Sequence, residues 1–253
     1  AAGVSAYDLM FRGSGLIPGT PRVPFTLGTD VVGVVDKLGE GVSTVEPGQI
    51  VAGATFCLGV GGGYAEFICL PASEVVPVPP GVDPAQAVCL VANYLTAHMA
   101  MHETAKVHAG ERVLVHGAAG GVGTALLELG KLAGLEMYGT ASEPKHELVS
   151  RLGATPLDYQ TEDFVERIHA LTGDGVDVVF DPIGGGHAVD NCFKAMEQVA
   201  VSKMTEYSRY GSDQAKKMYI YGRLDLGPTI LTPAYGFGWT LSGWLLTPFL
   251  QRA

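Results

Sequence analysis

The stretch Val113-Leu-Val-His-Gly-Ala-Ala-Gly-Gly-Val-Gly123 decides how the chain is read. Three apolar residues, Val113-Leu-Val115, enter a run of small ones, and Thr124-Ala-Leu-Leu-Glu-Leu-Gly-Lys-Leu-Ala133 continues with apolar positions at helical spacing. A strand that turns through glycine straight into a helix offers an anion the helix's free N–H groups and positive dipole end. The spacing is Ala118-x-Gly120-x-x-Gly123. Gly120 admits backbone close to a diphosphate, and Gly123 lets the helix pack on the strand. No Gly-Lys-Ser/Thr follows, which excludes a nucleoside-triphosphatase P-loop. The motif predicts a dinucleotide site.

Strand and helix patterns alternate on its C-terminal side. Met137–Ala141, Pro156–Tyr159 and Val176–Asp181 read as strands, with helices over Pro144–Leu152 and Thr161–Leu171 between them. Such alternation predicts a doubly wound parallel sheet. Past Cys192, Ala195–Lys217 reads as one or two helices and Met218–Gly222 as a fifth strand. On the N-terminal side, Asp30–Asp36, Gln49–Gly53 and Tyr64–Cys69 are short β-rich runs between glycines and prolines. Pro77, Pro79, Pro80 and Pro84 form a connector into a helix ending at Glu103. The expected fold is α/β, with a β-rich domain over residues 1–95 and a dinucleotide-binding domain over residues 96–253.

Composition narrows the function classes. The 253 residues are 47% hydrophobic and 17% charged, too apolar for a disordered chain. The net charge of −10, without a Lys/Arg block, speaks against nucleic-acid or anionic-membrane partners. Phe237–Leu250 is the longest apolar stretch and is too short to span a bilayer, so no transmembrane segment is expected. Cys57, Cys69, Cys89 and Cys192 show no CxxC spacing and no nearby His pairing, and are read as buried reduced thiols of a cytoplasmic protein. Glycine, about one residue in seven, follows no fixed period and excludes collagen-like repeats.

The end of the second strand chooses between NAD and NADP. NAD recognition calls for a carboxylate on the ribose 2′-hydroxyl. Thr140-Ala-Ser142 leaves that end uncharged, and Lys145 can meet a 2′-phosphate, so NADP(H) is favoured. Glu143 would argue for NAD if the strand ran further.

Four stretches resemble a known family: Ala2-Gly-Val-Ser-Ala-Tyr-Asp8 with Arg12, Pro24-Phe-Thr-Leu-Gly-Thr-Asp-Val-Val-Gly33, Asn93-Tyr-Leu-Thr-Ala97 and the glycine turn itself. Together they resemble the medium-chain dehydrogenase/reductase superfamily in its zinc-independent quinone oxidoreductase branch. Tyr94–Ala97, Gly139–Ser142 with Lys145-His146, and Phe180–Gly185 look most like its VAT-1-like and bacterial quinone reductase members. The resemblance implies a GroES-like first domain, a Rossmann second domain, NADPH and often a homodimer. It also implies a chain incomplete at both ends, since such proteins have strands before the position of residue 1 and return to the first domain after residue 253.

The resemblance further assigns roles by position. Gly117, Ala119, Gly120, Gly121, Val122 and Gly123 would cradle the pyrophosphate. Ser142 and Lys145 would hold the 2′-phosphate, with Tyr159 at the adenosine end. Thr96 would face the nicotinamide, and Ile183 and Gly184 would lie on its far side. Ser5, Asp8 and Met10 would line the substrate cleft, with Asp8 and Arg12 orienting the loop beside it. Zinc-dependent relatives place Cys where Ser5 stands and His where Thr29 stands, so no metal is expected; His98 and His102 are read as ordinary helix residues. Without a Lewis acid, the implied substrate is an acceptor already activated by conjugation, a quinone or an α,β-unsaturated carbonyl. The family often has Asn and Tyr in place of Ser5 and Met10, which keeps open a non-catalytic NADPH-binding protein of the same fold.

Overall fold

Valines on alternate faces make Asp30–Val34 the first strand, β1, buried through Val32 and exposed from Gly33 on. The computed structural model describes residues 1–6, 8–9, 12, 24–55, 62–159, 164–173 and 175–246. The chain divides into two compact units, one holding Ala1–Leu95 and Leu246, the other Thr96–Leu245. In the first, β1 pairs antiparallel with β2 (Ile50–Ala54), Val32 opposite Ala52, and β2 pairs antiparallel with β3 (Val75–Pro77). Ala1 and Ala2 extend along the other side of β1, with the Val32 N–H donating to the Ala1 carbonyl at 2.8 Å. Val32 and Ala52 pack on Ala87 and Val88, with Val78, Val82 and Val91 around them.

Two expectations fail in this unit. Tyr64–Cys69 is not a strand, because Gly63 and Tyr64 donate their N–H groups to the Gly28 and Leu27 carbonyls and are tied to that loop instead. The third strand is Val75–Pro77, which ends on the first proline of the stretch read as connector. It sits at the sheet edge, where a proline without N–H is tolerated.

The helix expected from Pro84 begins there as α1 (Pro84–Cys89), with the Asp83 carboxylate accepting the Ala85 N–H at 3.0 Å. It continues as a π-turn over Leu90–Tyr94, as α2 (Leu95–His98) and as a second π-stretch over Met99–Ala105. Lys106 ends it in the left-handed conformation at φ 51°.

The second unit is a six-stranded parallel sheet in the order β6-β5-β4-β7-β8-β9. The strands are β4 (Arg112–Val115), β5 (Glu136–Thr140), β6 (Thr155–Leu157), β7 (Val178–Asp181), β8 (Lys216–Ile220) and β9 (Trp239–Gly243). Helices α3 (Gly121–Leu132), α4 (His146–Arg151), α5 (Phe164–Thr172) and α6 (Ala188–Ser202) alternate with them. Val113, Leu114, Val115 and Val178–Phe180 are fully buried, as strands covered on both faces must be. Ala195–Lys217 departs from expectation: a single helix ends at Ser202, and residues 203–215 are irregular up to β8. The expected N-cap Thr161 lies outside the described residues.

The sixth strand, β9, was not anticipated. It is anchored by rings, with the Phe193 centroid 5.2 Å from Tyr235 and 5.5 Å from Trp239. Asp190, on the same helix as Phe193, accepts from the Thr232 N–H and hydroxyl, the Tyr235 hydroxyl and the Lys194 ammonium. Burial alone would raise the Asp190 carboxyl, but the Lys194, Tyr235 and Thr232 donors override it and hold the carboxyl well below the usual range.

Two outcomes follow for stability. Phe193→Ala should lower the unfolding free energy by about 3–5 kcal/mol in denaturant titrations. The contribution of Asp190 should be complete above its ordinary carboxyl pKa of 3.8 and decline as the pH falls below it, since the folded-state value is depressed. Asp190→Asn should therefore flatten the acid limb of the stability profile.

Candidate functional site

The order of the parallel strands reverses direction at β4, which has β5 on one side and β7 on the other. A crevice opens beyond the carboxyl ends of the strands at such a point, and ligands of doubly wound folds bind there. The glycine turn follows β4 directly. Gly117 takes φ 61°, a left-handed conformation that glycine adopts without penalty. Its N–H donates to Thr140 Oγ1 at 3.1 Å, and the Ala118 N–H donates to the Thr140 carbonyl at 3.0 Å, so the end of β5 holds the turn. Gly123 has no room for a side chain: a Cβ there would lie 2.4 Å from the Gly117 carbonyl oxygen. The N-cap of α3 is Gly120, without a side-chain acceptor, which leaves the first-turn N–H groups of Gly121, Val122 and Gly123 for a ligand. Gly121 is exposed and Ala119 half-buried.

The other sequence-predicted residues of this unit fall along the same edge, with one exception. β5 ends at Thr140, so its end is uncharged, and Glu143 falls beyond it in the exposed turn Glu143–Lys145. The Ser142 carbonyl accepts the Lys145 N–H at 2.8 Å, closing that turn with the Lys145 side chain in solvent. Tyr159, 58% exposed, stands two residues past β6. Ile183 and Gly184 follow β7, and their N–H groups donate to the Asp181 carboxylate at 3.1 and 2.9 Å. Thr96 is the exception: it is half-buried in α2, between the two π-stretches.

Beneath the cradle lies a cluster that sequence reasoning missed. His116 Nδ1 is 3.2 Å from Asp181 Oδ1, and His116 Nε2 is 3.3 Å from Cys192 Sγ, all three side chains buried. The expectation that Cys192 has no His partner is thus corrected. Asp181 and His116 are 65 residues apart, and the signal that could have joined them is strand order, since Asp181 ends β7 and His116 directly follows its parallel neighbour β4. Burial alone would raise Asp181, but His116 and the Gly184 and Ile183 N–H groups hold it below its ordinary value. For His116, burial acts to lower the pKa, while Cys192 and the Asp181 carboxylate outweigh it and push the imidazole up to about 10. Cys69 and Cys89 are exposed, against expectation, and Cys57 lies outside the described residues.

In the first unit, Ser5 donates both its N–H and its hydroxyl to Asp8 Oδ2, at 2.9 and 2.8 Å. Asp8 is 4% exposed and Asp30 6% exposed; Asp30 accepts the Gly3 N–H at 3.0 Å, and burial raises its carboxyl. The Tyr64 hydroxyl donates to the Gly3 carbonyl at 2.9 Å, and its phenol is raised by burial and by the nearby charge of Asp8. Arg12 is exposed, and Met10 lies outside the described residues. In the second unit, the His98 and His102 rings lie with centroids 4.8 Å apart and tilted at 52°. Among the described residues no group of three or more His, Cys, Asp or Glu could hold a metal ion.

Comparison with known proteins agrees with this architecture. Residues 1–80 match the alcohol dehydrogenase GroES-like domain, and residues 121–201 match the zinc-binding dehydrogenase family. The rat synaptic vesicle membrane protein VAT-1 homolog is 38% identical over 187 residues, covering 73% of this chain and 45% of the relative. Rat quinone oxidoreductase is 38% identical over 185 residues, covering 72% of this chain and 55% of the relative. Among solved structures, the Escherichia coli quinone oxidoreductase complexed with NADPH superposes with a TM-score of 0.81 at 25% identity, covering 98% of this chain and 72% of that one. The chain spans about half the length of the curated relatives it matches. With a GroES-like unit joined to a Rossmann-like parallel sheet, and with these relatives, the chain belongs to the medium-chain dehydrogenase/reductase superfamily.

Proposed function

We propose that the protein is an NADPH-dependent reductase that transfers hydride to a quinone or an α,β-unsaturated carbonyl without a metal. The observation that carries the reading is the N terminus of α3, capped by glycine with no side-chain acceptor and set beside β4 where the strand order reverses. The site fits a dinucleotide: a Cβ at Gly123 would strike the turn itself, and α3 presents unpaired N–H groups suited to a diphosphate. The uncharged end of β5, with Lys145 in the following turn, suits a 2′-phosphate better than a bare ribose hydroxyl. The E. coli relative, solved with NADPH, supports the same choice.

NADPH, when bound, supplies a hydride from nicotinamide C4. Everything else is binding and orientation. Gly117, Ala119, Gly120, Gly121, Val122 and Gly123 hold the diphosphate, Ser142 and Lys145 the 2′-phosphate, and Tyr159 the adenosine end. Thr96, Ile183 and Gly184 flank the nicotinamide ring. The acceptor takes the hydride at its conjugated carbon or quinone oxygen, and solvent provides the proton, so acceptor plus NADPH plus H⁺ gives the reduced acceptor and NADP⁺. Ser5 supplies neither a thiolate nor, with its hydroxyl hydrogen directed at Asp8, a free proton donor. Thr29 likewise lacks the imidazole of a zinc site. That chemistry suits acceptors needing no Lewis acid. We further propose a homodimer acting in the cytoplasm; no helix among the described residues is long and apolar enough to cross a membrane.

NADPH oxidation against a panel of quinones and a medium-chain enone tests the activity. Turnover on at least one acceptor is expected; tight NADPH binding without turnover on any would instead favour a non-catalytic NADPH-binding protein. Lys145→Ala should weaken NADPH by roughly tenfold or more and leave NADH nearly unchanged, since a charge-assisted hydrogen bond is lost only with the 2′-phosphate. Equal losses for both cofactors would remove Lys145 as the discriminator. Sedimentation should give a dimer mass, and a monomer at all concentrations would exclude the proposed assembly.

A further inference from the structure

The His116–Asp181–Cys192 cluster has no part in the hydride transfer, yet it joins both backbone walls of the cradle. His116 is the residue immediately before Gly117, where the glycine turn begins. Asp181 is the last residue of β7 and accepts the N–H groups of Ile183 and Gly184, which form the opposite wall. The two strand ends are also tied through the backbone, with the His116 N–H donating to the Phe180 carbonyl at 3.0 Å. Cys192, on α6, closes the chain of contacts from behind.

We propose that His116, Asp181 and Cys192 form a positioning latch: the imidazole donates from Nδ1 to Asp181 and from Nε2 to Cys192, and so holds the glycine turn and the Ile183–Gly184 segment at the spacing a dinucleotide needs. None of the three is a catalytic residue. The inference rests on the NADPH-binding reading above and deepens it by naming what sets affinity at that site.

The electrostatics give the latch a pH signature. Asp181 accepts three donors, only one of which carries charge. With His116 protonated, the imidazolium and carboxylate cancel. Once His116 loses its proton, Asp181 is left as an uncompensated anion one segment from a bound diphosphate, in a buried site where water screens poorly. Two other ionisable groups face the pair: Cys192, whose sulfur joins Asp181 in holding the imidazole up, and Tyr221, just past β8, whose phenol is pushed up by burial and by Asp181. His116, held at about 10, is the group whose loss of a proton leaves the Asp181 carboxylate uncompensated. Cofactor affinity should be constant through neutral pH and fall as the pH rises through that value.

The test is a fluorescence titration of the whole chain with NADH, which lacks the 2′-phosphate and removes Lys145 from the comparison. It is run from neutrality to about pH 10.5, with circular dichroism at each pH to confirm folding. Wild type is expected to lose roughly threefold in affinity by pH 10.5, the share of a roughly tenfold full loss reached half a unit above the His116 value of about 10. His116→Asn keeps an N–H toward Asp181 but no charge, and should bind roughly tenfold more weakly at neutral pH with a flat profile. Cys192→Ser keeps a polar partner for Nε2 but loses the sulfur's share in holding the imidazole up, so its affinity should begin to fall at lower pH than that of the wild type. A fall at the wild-type pH would remove Cys192 from the latch. Superimposable profiles for wild type and His116→Asn would overturn the latch. If His116→Asn fails to fold, the wild-type profile decides alone, and a flat one overturns the proposal. Absence of NADPH binding by wild type in a companion titration at neutral pH would overturn the cofactor reading and the latch together, whereas NADH binding with a flat profile would overturn the latch only.

Discussion

Parallel pairing of β4 with both β5 and β7 is the constraint from which the site follows. Val113 and Leu114 align with Met137 and Tyr138 on one side and with Val178 and Val179 on the other. Three strands therefore end together, and the segments leaving them must diverge. The chain after β4 turns into α3, the chain after β5 enters the Glu143–Lys145 turn, and the chain after β7 carries Ile183 and Gly184. Divergence of adjacent crossovers is what opens a crevice in a doubly wound sheet. The apolar core beneath it, with Leu114, Val179, Phe193 and Met218 almost entirely buried, fixes the strands that aim those segments.

The turn and the core make opposite demands on side chains. The strands are dense in β-branched and aromatic residues, whereas the turn excludes even a methyl group where Gly123 meets the Gly117 carbonyl. Thr140 reconciles the two. Its backbone ends β5, and its carbonyl and hydroxyl receive the N–H groups of Ala118 and Gly117. Asp181 does comparable work on the other side, taking His116, Ile183 and Gly184 with one carboxylate. Both residues are buried polar groups with satisfied hydrogen bonds, which is how polar atoms persist inside a packed sheet.

Legibility in the sequence followed burial and locality. β4, β5 and β7 are short apolar runs covered on both faces, and the glycine turn is contiguous, so both were readable from neighbours in the chain. β9 was not, because Trp239-Thr-Leu-Ser-Gly243 is a half-exposed edge strand whose packing depends on Phe193 and Tyr235 from elsewhere. β3 was hidden by Pro77, which only an edge position accommodates. Tyr64–Cys69 has the composition of a strand, but its first N–H, that of Tyr64, goes to the Leu27 carbonyl, and that of the preceding Gly63 goes to Gly28. The cluster under the cradle was the least legible. Cys192 lies 76 residues from His116, and only the strand order and the placement of α6 bring the two together.

The central claim is that one edge of one sheet, at the reversal beside β4, receives the diphosphate of a nicotinamide dinucleotide. A crystal structure of the protein with NADPH tests it most directly. The account predicts diphosphate oxygens about 3 Å from the N–H groups of Gly121, Val122 or Gly123, and the 2′-phosphate beside Ser142 and Lys145. A dinucleotide bound elsewhere, or with its diphosphate away from the N terminus of α3, would contradict it.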